Sequence, residues 1–225
     1  MTDNEAKHGR LSMEGMIDEG IRICDFMLDP NSAGIPKDLI QVCCGVALIS
    51  SAEVALFVSG SRGTGIVVHR DDKTDEWSPP SAVAISGVGL GLVVGFGKKD
   101  IVMVLVDNAA VAALSGEVQV QLGAQVSVAG PVGREYEGTF NLSNRGAGTT
   151  FTYAISKGLV SVGNLEGALV CACPRVNKEF YNSDASPHTI LFEKGSVTAP
   201  AGSRVPELHK KLTMMEKGRV TLPPL

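Results

Sequence analysis

Between Ser81 and Asp107 the glycines fall at odd positions, Gly87, Gly89, Gly91, Gly95 and Gly97. Val88, Leu90, Leu92, Val94 and Phe96 fill the even ones, and the apolar run 101–106 follows. A period of two is the spacing of a strand, whose successive side chains point to opposite faces. The pattern predicts a strand with one bulky face and one face of nearly bare backbone. Glycine weakens a strand unless something needs the space. Either another element packs closely on that face, or it forms a shallow groove for an acyl chain or a partner. A dinucleotide fingerprint is excluded, because the third glycine comes one residue early, at Gly91, and no helical spacing follows.

The same economy runs through the chain. Aromatic residues make up 5% and there are 26 glycines, so the core must be Val, Leu, Ile and Ala around close-packed backbone. The net charge of −4 argues against a nucleic-acid binder working through bulk electrostatics. Residues 1–10 lack the pattern of a signal peptide, and no apolar run is long enough to span a membrane, so a cytoplasmic protein without a transmembrane segment is expected. Cys24, Cys43, Cys44, Cys171 and Cys173 form no Cys-x-x-Cys and have no histidine at ligand spacing. They read as free thiols rather than a metal site.

Residues 11–29 carry an apolar stripe of Met13, Met16, Ile17, Ile21, Cys24, Met27 and Leu28 at helical spacing. Acidic side chains dominate the other face, so this helix is expected to pack on the core rather than on anionic lipid. A short helix follows at 36–43, then extended segments at 46–49 and 54–58. Gly60 to Gly65 is expected as a turn with Arg62 at its tip, before a strand at 66–70. Residues 71–76 read as a solvated hairpin tip, and 98–100 as a turn ahead of the apolar run. Asn108 is expected to cap a short helix. Residues 118–128 alternate most clearly of all and predict one strand, with a turn at 129–134, a polar loop at 141–148, and strands around 151–155 and 165–173. Helices return at 174–181, 187–192 and 204–217. The last is the one basic amphipathic stretch, with Val205, Leu208, Leu212 and Met215 on one side.

Many short strands with helices gathered at the ends predict an α+β fold: a strongly curved antiparallel sheet or barrel-like core, with helices packed at the N- and C-terminal ends. One domain is expected over residues 11–217, with tails at 1–10 and 218–225.

Residues 63–68, Trp77 to Ala82, the glycine strand 87–95 and the turn 130–134 together resemble the SYLF domain family. Ser156 to Leu159, Leu165 to Gly167 and Asn177 to Tyr181 extend the match, which covers about residues 11–216 in the family's order. The resemblance implies a non-catalytic module that binds phospholipids, notably phosphoinositides. In some eukaryotic members it also implies actin-filament binding and a role in endocytosis. Family members commonly carry lysine at the positions of Cys44 and Glu53 and a basic amino-terminal helix, and here those charges are lost or reversed.

An enzyme reading finds little support. His8, His69, His188 and His209 are scattered, and neither Gly-x-Ser-x-Gly nor His-Glu-x-x-His occurs. No catalytic residue, cofactor or metal is expected. The expected lipid-binding residues are Arg62, Arg134 and Lys157 at turns flanking the glycine strand, with Lys210 and Lys211 on the last helix. Expected partners are anionic phospholipids and, as the second reading, actin filaments or an adaptor role, at the cytoplasmic face of a membrane.

Overall fold

The centre of the molecule is a hairpin of β1 (Gly45–Leu56) and β2 (Val58–His69), whose register runs from Gly45↔His69 to Leu56↔Val58. In this computed structural model the described residues are 9, 11–29, 35, 37–56, 58–90, 95–116, 120–121, 125–130, 134–143, 146–157 and 168–217. β3 (Ser81–Leu90) pairs with β2, and β4 (Gly95–Leu105) pairs with β1, so the two flank the hairpin on opposite sides. Beyond β4 come β8 (Gly146–Lys157), β7 (Arg134–Ser143) and β6 (Gln125–Gly130). Beyond β3 come β9 (Leu169–Ala172) and β5 (Val120–Gln121). All pairings are antiparallel, in the order β5-β9-β3-β2-β1-β4-β8-β7-β6, and the sheet curls until β5 comes alongside β7. The expected α+β architecture, a curved antiparallel sheet with helices at both chain ends, is what the chain adopts.

Both faces of the central strands are covered. On one, Val46, Leu48, Ile66, Val68, Val102 and Val104 pack against α1 (Met13–Leu28), α2 (Lys37–Val42), α4 (Pro174–Tyr181) and α6 (Val205–Lys217). On the other, Ala47, Ile49, Val67, Ile101, Met103 and Leu105 meet α3 (Asn108–Leu114) and Leu191 of α5 (Pro187–Phe192). A strand buried on both sides has no polar face to alternate with, which is why 46–49, 66–68 and 101–105 read as continuous apolar runs. α1 begins where Ser12 accepts the Gly15 N–H. A β-carbon on Gly20 would stand 3.1 Å from Ile66 Cδ1, so glycine there brings α1 down onto the sheet.

Several local expectations give way to pairing. Gly60 to Gly65 is not a turn: it lies within β2, whose pairing with β1 runs out to Leu56↔Val58. Gly65 serves close approach instead, since a β-carbon on it would stand 2.1 Å from the Leu48 carbonyl oxygen. Lys98 to Asp100 likewise lies inside β4, so the glycine segment divides between the end of β3 and the start of β4, with Gly91 outside the described residues. The alternating stretch 118–128 also divides, into β5 at one edge of the sheet and β6 at the other. The loop expected at 141–148 is largely strand, closing with Ser143↔Gly146. The cap of α3 is Asp107 rather than Asn108, its two carboxylate oxygens accepting from Ala110 N and Thr149 N. Of the strand expected at 165–173, β9 covers 169–172, and 165–167 lie outside the described residues.

Two measurements follow. Gly65→Ala must push the β1 backbone aside and is expected to destabilise the fold by about 3 kcal/mol, the overpacking range, read from the urea midpoint. His209, half-buried on α6, donates from Nε2 to the Ser78 carbonyl at 2.9 Å. Burial lowers its pKa from the ordinary 6.5, against that hydrogen bond. The unfolded chain therefore takes up the proton first as pH falls, and stability declines once pH drops through about 6.5. His209→Gln is expected to flatten that part of the stability–pH curve.

Candidate functional site

On the face covered by α1, the sheet's side chains shrink toward one end. β1 passes from Val46 and Leu48 to Ser50 and Ala52, and β2, read backwards, from Val68 and Ile66 to Thr64. β3 there offers Ala84 and Ser86, and β9 offers Cys171 opposite Ala84. Met16 and Glu19 of α1 stand above this floor, with Leu11 at the lip, and the space between is a pocket of about 390 Å³. It does not use the bare glycine face of β3. Gly87 lies on the opposite face, where a β-carbon would stand 2.8 Å from Ser61 Oγ and 3.6 Å from Ala168. Close packing accounts for that glycine, and the groove is on the other side.

Behind two of the lining residues, Glu19 and Ser50, stands an ion pair. Both Arg22 terminal nitrogens reach the Asp100 carboxylate, at 3.0 and 2.7 Å, and Arg22 Nε donates to Glu19 at 2.6 Å. Asp100 is 1% exposed and also accepts from Ser50 Oγ. Burial works against the charge on Arg22, but the Asp100 and Glu19 carboxylates overcome it and hold the guanidinium well above its ordinary pKa.

At the outer wall the register lines up basic residues that lie far apart in sequence. Ser86 pairs with Arg62, Arg62 with Ala52, Ala52 with Lys98, and Lys98 with Lys157. Strands lie about 4.8 Å apart, so Arg62 and Lys98 flank Ala52 at roughly 10 Å and Lys157 is one strand further. Arg134 pairs with Ile155, one pleat repeat from that row. Arg62 is exposed and Lys98 half-buried, and neither makes a hydrogen bond or ion pair with a described residue. Three of the expected residues, Arg62, Lys157 and Arg134, thus gather at one end of the sheet. Lys98 was missed because its Lys-Lys-Asp sequence reads locally as a turn, and only the β1–β4 register reveals its place.

The expected pair on the last helix lies elsewhere. Lys211 is bound to Asp25 of α1 at 2.5 Å, and Arg204 bridges Asp18 and Glu207. The basic stripe of α6 therefore complements the acidic face of α1, and Lys210 stays exposed.

None of the described histidines lines the pocket. His69 sits between the Leu191 carbonyl and Asn108 Oδ1, and His188 stacks on Phe192. Burial pushes the thiols of Cys24, Cys43 and Cys173 up to about 12, 11 and 11, and burial with Asp72 raises Cys44 to about 11. Such thiols are poor nucleophiles at neutral pH. Among the described residues no group of His, Cys, Asp and Glu could hold a metal ion, and no helix is long and apolar enough to cross a membrane.

These features define an α+β module with a small amphipathic pocket rimmed by cations. The family model described as "Ysc84: Las17-binding protein actin regulator" matches residues 86–215, and the chain belongs to this family, that of the SYLF domain. It is 37% identical over 170 residues to the bovine "SH3 domain-containing YSC84-like protein 1", covering 74% of this chain and 48% of that protein. It is 35% identical over 158 residues to the budding-yeast "LAS seventeen-binding protein 3", covering 70% of this chain and 34% of the relative. To the yeast "Protein YSC84" it is 35% identical over 167 residues, 74% of this chain and 35% of that one. The chain thus spans less than half the length of these relatives. No solved structure matches it.

Asp100 makes the ion pair testable. Arg22→Met strands a buried carboxylate and is expected to cost about 3 kcal/mol of stability, whereas Arg22→Met/Asp100→Leu regains most of it. Chemical denaturation of both variants checks this.

Proposed function

We propose that this chain is a phospholipid-binding module that docks on phosphoinositide-containing membranes through the basic end of its sheet. The observation that carries the reading is the row Arg62, Lys98 and Lys157, with Arg134 one step away, in which Arg62 and Lys98 lack partners among the described residues. Basic side chains elsewhere, Arg22, Arg70, Arg204 and Lys211, are held by carboxylates and have little charge to offer a ligand. A basic residue near an anionic surface contributes about 1 kcal/mol, so three in a row suffice for salt-sensitive docking. Lys210 and Lys211 lie on a different element, and their share in docking is secondary.

The second reading is an actin-linked adaptor, in which the chain binds actin filaments or a partner protein. The family's description as an actin regulator and the relatives named for binding Las17 favour it. It requires no lipid and no pocket.

Vesicle flotation separates the two. Wild type is expected to float with phosphoinositide-containing vesicles and not with neutral ones. Arg62→Glu/Lys98→Glu/Lys157→Glu is expected to bind about 100-fold more weakly, from roughly 1 kcal/mol per lost charge, while Lys210→Glu/Lys211→Glu changes binding far less. Co-sedimentation with actin filaments and no flotation would overturn the lipid reading in favour of the adaptor.

A further inference from the structure

We propose that the pocket beneath the start of α1 holds the tail of a single-chain anionic amphiphile, whose charged end lies between Arg62 and Lys98. For its charged end this inference rests on the membrane-docking reading above, but it also requires the groove to be occupied.

The argument begins with the floor. β1 and β2, which present Leu48 and Ile66 to the middle of α1, present Ala52 and Thr64 near its start, and β3 beside them presents Ala84 on the same face. Side chains have been shortened where α1 still lies overhead, so a channel stays open instead of a packed core. Its size, about 390 Å³, lies at the low end of the roughly 300–1,000 Å³ of ligand pockets, which suits one chain better than two.

Charge then chooses the occupant. The carboxylate on the roof, Glu19, is already held by Arg22 at 2.6 Å and is not available to neutralise the rim. Arg62 and Lys98 flank Ala52 and have no partner among the described residues, so the occupant must bring a negative charge to that end. At the lip Leu11 is 73% exposed, an apolar side chain that the described residues leave uncovered. A narrow apolar body with an anionic terminus, carboxylate or phosphate, satisfies all three. A bare anion would leave the floor and Leu11 wet, and an uncharged hydrocarbon would leave two cations facing it.

Cys171 provides a readout that needs no mutation. It lines the pocket, whereas Cys44 and Cys173 are comparably accessible and lie outside it. Dodecyl phosphate, used below its micelle concentration, is expected to slow alkylation of Cys171 by N-ethylmaleimide at least tenfold. Cys44 and Cys173 are expected to react at unchanged rates, and inorganic phosphate at the same concentration to give no protection. Ala52→Leu and Ala84→Leu, each filling the floor, should weaken dodecyl phosphate binding at least tenfold by calorimetry while vesicle flotation persists. Unprotected Cys171 at saturating dodecyl phosphate, or equal protection by inorganic phosphate, overturns the inference. If flotation survives that result, the docking reading stands without the pocket; if flotation also fails, both fall. Should either leucine variant misfold, the protection experiment on the wild-type chain decides.

Discussion

A carboxylate buried in a sheet has to be answered by a cation, and in this protein the answer comes from a helix. Asp100 is 1% exposed and takes both terminal nitrogens of Arg22. The Asp100 carboxylate would be costly there without a cation, because an unanswered buried charge costs several kcal/mol. The pair therefore ties α1, which lies over β1 and β2, to β4. On one side of it lies the apolar core under Ile17, Ile21 and Cys24, and on the other the floor falls to serine, alanine and threonine. The core and the candidate site are two sides of one constraint.

The same logic explains why the amino-terminal helix can be acidic. The acidic face of α1 is partnered within the chain, through Asp18 with Arg204, Glu19 with Arg22, and Asp25 with Lys211. Several of these groups are partly exposed, so each pair contributes little to stability. The pairs made by Arg204 and Lys211 orient α6 on α1 and place those two cations against the body of the protein, while Lys210 stays exposed. Positive charge left for a partner collects instead at the end of the sheet, where Arg62 and Lys98 have no carboxylate among the described residues.

Glycine illustrates how a correct local observation can point to the wrong face. The alternation did announce extended backbone at 87–90 and 95–97, and Gly87 does sit where a β-carbon would crowd Ser61 and touch Ala168. The open groove nevertheless formed on the face of Ala84 and Ser86, because small polar residues beneath a helix leave space, whereas glycine beneath another segment lets that segment in. Gly63 and Gly65 likewise looked like a turn and proved to be the pinch between β1 and β2.

Periodicity announced the helices at 13–28 and 205–217 and the α+β class, because an apolar stripe at helical spacing and a run of alternation each declare local geometry within a few residues, and the shorter helices at 174–181 and 187–192 were also legible in the sequence. Alternation carries no address, however. Residues 118–128 could be read as one strand, yet their two halves pair at opposite edges of a curled sheet. The row of Arg62, Lys98 and Lys157 exists through the register of four strands drawn from over a hundred residues of chain. Strand partners and their register are settled by which faces can be buried together, a property of the assembled molecule.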